Sequence, residues 1–498
     1  MKNNYFLHTF IILMLLPFTI TAQDWGVAQG GNSMRNGLTT SIGPLVEIGE
    51  EPELYWSGGE NAAYAGYPVI EGENLIVYRR FPSDSQQESW IINYNVYTGE
   101  ELWRTQLPVD THHNYSKVSA VRDGKVYANR AGGAAEPEFI YALDIENGDV
   151  IWVSDIKIGE HESESYAFAE NGDIIAADLN HIVRVNHING TTVWETSRGG
   201  SSSDANSTNI FGNKVYVWEQ DSQGMFITVL DIENGSKLYS SELLAPPGFQ
   251  QQCFIIGSDG VIYADIMRGA GGNHLYALED DGTQFNLLWD YETGFATFGN
   301  FAEGADGSIY AVSPNDEIVR LDPTTGSVLN TSPVISDNNG FLNVFMAVAE
   351  DGILYLTVSD YPFTKLYIFT PELELLWGEE MNGLKGIALG DQVLVVNGNQ
   401  TLIKAYKGQN PILGFSGQND KTFTSIYPNP SDGVYNFSNS FENKNGHLEI
   451  TSITGQIIYS SSVKSNIHRI DISNQEAGVY IVRYFMNNKY YFNKIIKN

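Results

Sequence analysis

The chain has 498 residues, 42% of them hydrophobic, with 60 acidic against 28 basic side chains and a formal net charge of −32. That length allows two or three domains with ample core, and the charge repels nucleic acid phosphates and anionic lipid headgroups while favouring cations or basic partners. Cys253 is the only cysteine, so an intramolecular disulfide is excluded and the fold must rest on burial.

The first element is a targeting segment. Lys2 stands ahead of an apolar run from Phe10 to Ile20, which closes on the small residues Thr21 and Ala22. This is the build of a secretory signal peptide, too short to cross a bilayer comfortably. Residues 1–22 are expected to be removed near Ala22, leaving a soluble mature chain with no transmembrane span and no cysteine to carry a lipid anchor. Charge is uneven along it. Lys421–Asn498 holds 8 basic and 5 acidic residues, so with +3 there and +1 at Lys2, residues 23–420 carry −36.

A phrase then recurs: "YNVYTGEELW" ends on Trp103, "YALDIENGDVIW" on Trp152, "VRVNHINGTTVW" on Trp194, "TVLDIENGSKLY" on Tyr239, "YALEDDGTQFNLLW" on Trp289, "VRLDPTTGSVLN" on Asn330 and "YIFTPELELLW" on Trp377. The turn glycines Gly99, Gly148, Gly190, Gly235, Gly282 and Gly326 are 49, 42, 45, 47 and 44 residues apart, a period that means a repeat architecture. Ahead of each phrase stands a second apolar hairpin with its own Asp-Gly, Asn-Gly or Gly-Asn turn, as in "AVRDGKVYA" and "IFGNKVYVW". One period is therefore four strands, a unit too small to bury both faces alone and stable when arranged radially as a propeller blade. The hairpins number eight and the phrases seven. Trp56, 47 residues before Trp103, supplies the missing ring, so the N-terminal strand around it is expected to complete the last blade.

Within the phrase, Asn95, Asp144, Asn186, Asp231 and Asp322 suit a turn start whose side chain bonds backbone amides, and the glycine four residues on accepts positive φ. Trp56, Trp103, Trp152, Trp194, Trp289 and Trp377 are expected to fill seams between blades, with Asp144 and Gly148 as the model turn. The pattern of Ala142, Asp144, Gly148 and Trp152 resembles the tryptophan-docking repeat of pyrroloquinoline quinone (PQQ)-type β-propellers. "DWGVAQGGNSMRNG", "LYWSGG" and "AGYPVIEGENLIVY" are similar to the start of such domains, over about residues 24–407. That resemblance implies either a quinone-dependent dehydrogenase or a non-catalytic scaffold. The adjacent cysteine pair that many of the alcohol dehydrogenases carry cannot exist here.

Other chemistry is thin. His112 with His113, and His161 with Glu162 and Glu164, lie in loops and are read as solvated. Arg130 and Arg268 precede glycine-rich loops. Arg130, Asp178, Glu219 and Asp265, near the ends of strands read as inner ones, are the candidates for a funnel site. They would bind divalent cations weakly, calcium being the one cofactor considered, and no quinone chemistry is expected of them.

After the linker 408–422, the segment 423–498 alternates short strands with turns at Asp432-Gly433, Thr454-Gly455 and Ala477-Gly478, a small antiparallel sandwich. Its Tyr427-Pro428-Asn429-Pro430, Gly433, Gly455, Gly478 with Tyr480, and the terminal stretch from Lys494 closely resemble the type A sorting domain of the Bacteroidetes type IX secretion system. The resemblance implies that export machinery as partner, and a secreted or outer-membrane-surface location. The whole reads as all-β: an eight-bladed propeller of four-stranded blades over 23–407, closed by its N-terminal strand, then the sandwich. Its expected function is non-enzymatic binding or scaffolding toward a surface protein or glycan. The alternatives are a quinone- or metal-dependent oxidoreductase using the funnel, and a carbohydrate-binding accessory protein.

Overall fold

A computed structural model describes residues 25–28, 30–44, 46, 48–59, 61–84, 88–108, 115–131, 138–158, 166–178, 180–198, 208–247, 254–267, 273–294, 296–298, 301–336, 342–360, 363–381, 384–398, 401–408, 424–439, 446–452, 457–465, 467–486 and 489–498. The signal segment 1–22, Cys253, His112, His113, His161, Glu162, Glu164, Arg268, Gly455 and all of the linker but Gly408 lie outside them, as does the side chain of Lys494. Among the described residues the regular structure is strand, and no helix is long and apolar enough to cross a membrane. The chain forms two compact units, one ending at Gln409 and the other beginning at Asn410.

The first unit contains eight antiparallel blades among the described residues. Blade 1 spans 64–105, blade 2 115–158, blade 3 167–197, blade 4 208–240, blade 5 254–293, blade 6 301–334, blade 7 342–381 and blade 8 384–407. The chain runs through each from first to last strand, so neighbours in sequence are neighbours in the sheet. Middle strands are mostly apolar runs, such as Leu75–Tyr78 facing Ile91–Tyr94 with Asn93 their one polar residue, all buried, because blades cover them on both faces. Two blades carry an extra strand. In blade 1, Tyr64–Ala65 and Val69–Glu71 both pair Asn74–Arg80; in blade 7, Ala296–Phe298 lies parallel to Leu342–Val348.

Blade 8 takes its fourth strand from the other end of the unit. Glu53–Gly58 pairs antiparallel with Ile403–Lys407, and Trp56 stands opposite Ala405. First strands touch between blades 1 and 2, 3 and 4, 4 and 5, 6 and 7, and 7 and 8, and that of blade 8 touches that of blade 1; the first strands therefore circle an axis and the fourth strands form the rim. Tight turns join the first strand to the second and the third to the fourth, all on one face. The connections from second to third strand and from blade to blade leave from the opposite face.

The second unit is a sandwich. One sheet is ordered Thr424–Tyr427, Val434–Asn439, Ile467–Asp471, and the other Ile457–Val463, Gly446–Ser452, Gly478–Met486, Lys489–Lys497. Tyr435, Phe437, Leu448, Ile450, Val482 and Tyr484 fill the space between them.

Candidate functional site

Each third-to-fourth turn is built as its residues dictate. In blade 2 the Asp144 carboxylate accepts from Glu146 N at 2.8 Å and the Asp144 carbonyl from Gly148 N at 2.8 Å, while Gly148 adopts φ +74°. The missing side chain matters because a Cβ on Gly148 would fall 2.6 Å from the Trp103 ring of blade 1. That ring is buried and its indole N–H donates to Ile145 O at 2.7 Å. The same joint recurs: Trp56 to Val96 O at 2.7 Å, Trp152 to His187 O at 3.1 Å, Trp194 to Ile232 O at 2.9 Å and Trp289 to Pro323 O at 2.8 Å. Each is a tryptophan on one blade's rim bonding the residue after the turn's Asp or Asn on the next.

Three joints are built differently. At Tyr239 the hydroxyl donates to the Asp280 carboxylate of blade 5 at 2.6 Å, Tyr216 and Lys214 converge on the same group, and Gly282 has no ring above it. Where Asn330 stands, Tyr310 of the same blade donates to Pro371 O at 2.9 Å, the equivalent carbonyl of blade 7; the turn there has Leu373 at φ +66° in place of glycine. Trp377 packs on Tyr406 of blade 8, with centroids 5.9 Å apart.

At the tight-turn face the axis is occupied by the chain itself. Residues 25–42, which sequence reading took only as the start of the domain, cross the tight-turn face and bond every blade in order. Ile70 N of blade 1 donates to Trp25 O at 2.8 Å, and in blade 2 Val121 N donates to Gly26 O at 2.8 Å. Ser33 takes two blades, its hydroxyl accepting from Phe168 N at 2.8 Å and its carbonyl from Ile210 N at 3.0 Å. Ile256 N donates to Met34 O at 3.0 Å, Glu303 N to Asn36 O at 2.8 Å, Val348 N to Gly37 O at 2.7 Å and Gln392 N to Ile42 O at 2.5 Å, completing blades 5 to 8. Positive φ at Gly30, Gly31, Arg35 and Gly37 lets the segment fold back on itself. The signal was present in the glycines and asparagines of "GGNSMRNG", but the blade partners of that stretch lie 135 to 311 residues downstream. Asn36 also donates to the buried Glu303 carboxylate at 2.6 Å, which burial pushes above its ordinary range although Ser258 donates to it as well. Beside Trp25 and Arg35 there remains a cavity of about 20 Å³, bounded by Tyr67, Phe301, Phe345 and Met346, room for little more than a water molecule.

The four funnel candidates do not line this axis. They belong to second strands or their ends, in blades 2, 3, 4 and 5; the first strands, such as Tyr115–Arg122, are the inner ones, which corrects the expected strand order. Each is engaged locally. Arg130 donates to Leu107 O and Pro108 O, Asp178 accepts from the amides of Asn180 and His181, Glu219 accepts from Thr228, and Asp265 accepts from Thr293. A quinone with its calcium needs a stacking face and oxygen ligands converging on one ion, and among the described residues no three His, Cys, Asp or Glu side chains group to hold a metal. The four candidates, each bonded within its own blade or to the chain beside it, are not gathered on one ion.

In the second unit, the Asn429 side chain accepts from Ile496 N at 2.8 Å and Ser431 N donates to Ile496 O at 3.0 Å, so the Tyr427–Pro430 segment is tied to the last strand. Both Pro428 and Pro430 follow cis peptide bonds. Gly433 has φ +103° and abuts Ser473, Tyr480 donates to Glu476 O at 2.7 Å, Gly478 opens the third strand of its sheet, and Lys494 stands opposite Ile481.

A family profile described as outer membrane protein assembly factor BamB matches residues 37–171, 87–332 and 181–410. One described as secretion system C-terminal sorting domain matches residues 425–498. BamB from Moraxella catarrhalis is similar at 15% identity, over 72% of this chain and 100% of its own, with a TM-score of 0.49. The computationally designed Ika8 protein is similar at 13% identity, over 74% and 100%, with 0.51, and the Dos1 propeller at 11%, over 72% and 96%, with 0.51. At such identities these likenesses concern the fold alone. No curated protein matches the chain. The sorting domain, of the type IX system, indicates export to the cell surface or outside the cell.

Proposed function

The chain belongs to the family of outer membrane protein assembly factor BamB, with a type IX sorting domain behind its propeller, and from that premise we propose that it is a non-enzymatic binding or scaffold propeller. Residues 1–22 are its removed signal peptide, 23–407 the propeller, 408–422 the linker and 423–498 the export tag. The observation that carries this reading is the filled tight-turn mouth. The tight-turn mouth of the ring, where a propeller would seat a small ligand, holds residues 25–42, and the charged candidates of the second strands are bonded within their own surroundings. Six of the nine tryptophans, Trp56, Trp103, Trp152, Trp194, Trp289 and Trp377, are likewise taken up in the joints. Binding therefore falls to surfaces other than the tight-turn mouth, and a propeller carrying −36 over residues 23–420 favours a basic partner.

The test is reconstitution of the purified mature protein with PQQ and calcium, followed by dye-linked oxidation assays over alcohols and sugars. No dye reduction above a protein-free control is expected. Robust turnover would replace this reading with a quinone-dependent oxidoreductase.

A further inference from the structure

The first strands of a propeller are sheet edges turned toward the axis, and an unpaired edge offers a row of N–H groups to any extended chain. In this ring those donors are met by one continuous stretch, with carbonyls of Trp25, Gly26, Ser33, Met34, Asn36, Gly37 and Ile42 each taking an amide from blade 1, 2, 4, 5, 6, 7 or 8 in turn. Blade 3 is met by the Ser33 hydroxyl. Trp25 and Arg35 are each about 2% exposed, so the stretch is held by side chains as well as backbone. It is joined to the ring only through residues 45–52, of which Ile48, Gly49, Glu50 and Glu51 are exposed.

We infer that the tight-turn mouth of this ring is a built peptide-binding site and that residues 25–44 are its ligand, supplied in cis. The recognised chemistry is an extended, glycine- and asparagine-rich peptide led by a tryptophan. Its carbonyls satisfy the inner edges of all blades but the third, and occupancy and ring closure stabilise each other because binding to the folded form alone shifts the folding equilibrium. Each bond reaches a blade far along the chain, so the site is complete only when all eight blades are in place. An empty mouth would leave the edge amides of Ile70, Val121, Ile210, Ile256 and Val348 without these acceptors, in a position water reaches poorly.

The test uses the whole mature chain with a protease site placed at Glu50–Glu51. After cleavage the N-terminal peptide is expected to co-elute with the ring. Its release in mild denaturant should lower the melting temperature, and a synthetic peptide of residues 23–47 should restore it. The same peptide carrying Trp25→Ala and Asn36→Ala should not. A peptide that separates at once while the ring keeps its melting temperature would overturn the inference, as would a nicked protein held together only as a dimer exchanging N-termini. Should the released ring fail to refold, hydrogen exchange on the uncut protein decides: the five edge amides are expected in the slowest-exchanging class, and exchange at the rate of exposed turns would overturn the site.

Discussion

Gly148 shows how a single position serves two blades. Its φ of +74° favours a residue without a side chain, and the Trp103 ring occupies the space a Cβ would take, 2.6 Å away. Gly282 has φ +94° in the corresponding turn but nothing within 4 Å, because the preceding blade carries Tyr239 rather than tryptophan. Two costs are thus separable. Gly282→Ala should lose only the left-handed penalty, about 1–2 kcal/mol, whereas Gly148→Ala adds overpacking against an indole and should lose about 2–5 kcal/mol. Urea unfolding of the two variants side by side checks this, and equal losses would mean that the ring does not press on the turn.

Between blades 4 and 5 the seam is polar, with Lys214, Tyr216 and Tyr239 gathered on the Asp280 carboxylate. Burial alone would raise that carboxyl, but hydrogen bonds from Lys214, Tyr239 and Tyr216 outweigh it and hold the group below its ordinary value. A carboxylate depressed in the fold contributes stability that is present above its unfolded pKa, about 3.9, and is lost as pH falls through the lower folded value. Asp280→Asn should therefore lower the urea midpoint at neutral pH and flatten its decline below about pH 4, relative to the parent protein. Parallel pH profiles would argue that the seam holds by packing alone. The rim strands share a second device. The register slips at the residue before each joint ring, as between Val150 and Trp152 or between the partners of Ala277 and Leu278, and such a bulge re-aims the following side chain. It turns the tryptophan into the seam and leaves Ile151 or Leu288 about 45% exposed.

For the whole molecule, the proposed function divides the work between two units, binding by the ring and export through the sorting domain. Deletion of residues 423–498 should abolish appearance of the propeller outside the cell while leaving its fold intact inside. Immunoblots of medium and cell fractions would read this directly, and unchanged extracellular levels would contradict the role of the domain. The ring is closed twice, by Glu53–Gly58 pairing with Ile403–Lys407 and by residues 25–42 crossing the axis. Both devices draw on the N-terminal part of the chain, so cooperativity of the propeller depends on residues whose partners extend to the last blade.

The sequence by itself determined what is local. Hairpin turns, the run of apolar middle strands, the Asp–Gly–Trp phrase and its spacing of 42 to 49 residues each rest on backbone chemistry within a dozen residues, and repetition made them legible. Closure by the strand of Trp56 could also be reasoned out, because a count of eight hairpins against seven phrases left one ring over. The tertiary structure alone decided what fills the centre and what the charged residues do. Arg130, Asp178, Glu219 and Asp265 look alike in sequence to inner-strand ligands, yet the sheet order puts them one strand outward, where nearby carbonyls, amides and hydroxyls engage them. Periodicity reports which face of a strand is buried, not which edge of the sheet faces the axis. Residues 25–42 have no repeat partner and no strand pattern of their own; their bonds go to eight separate blades, and only the closed ring brings those donors to one place.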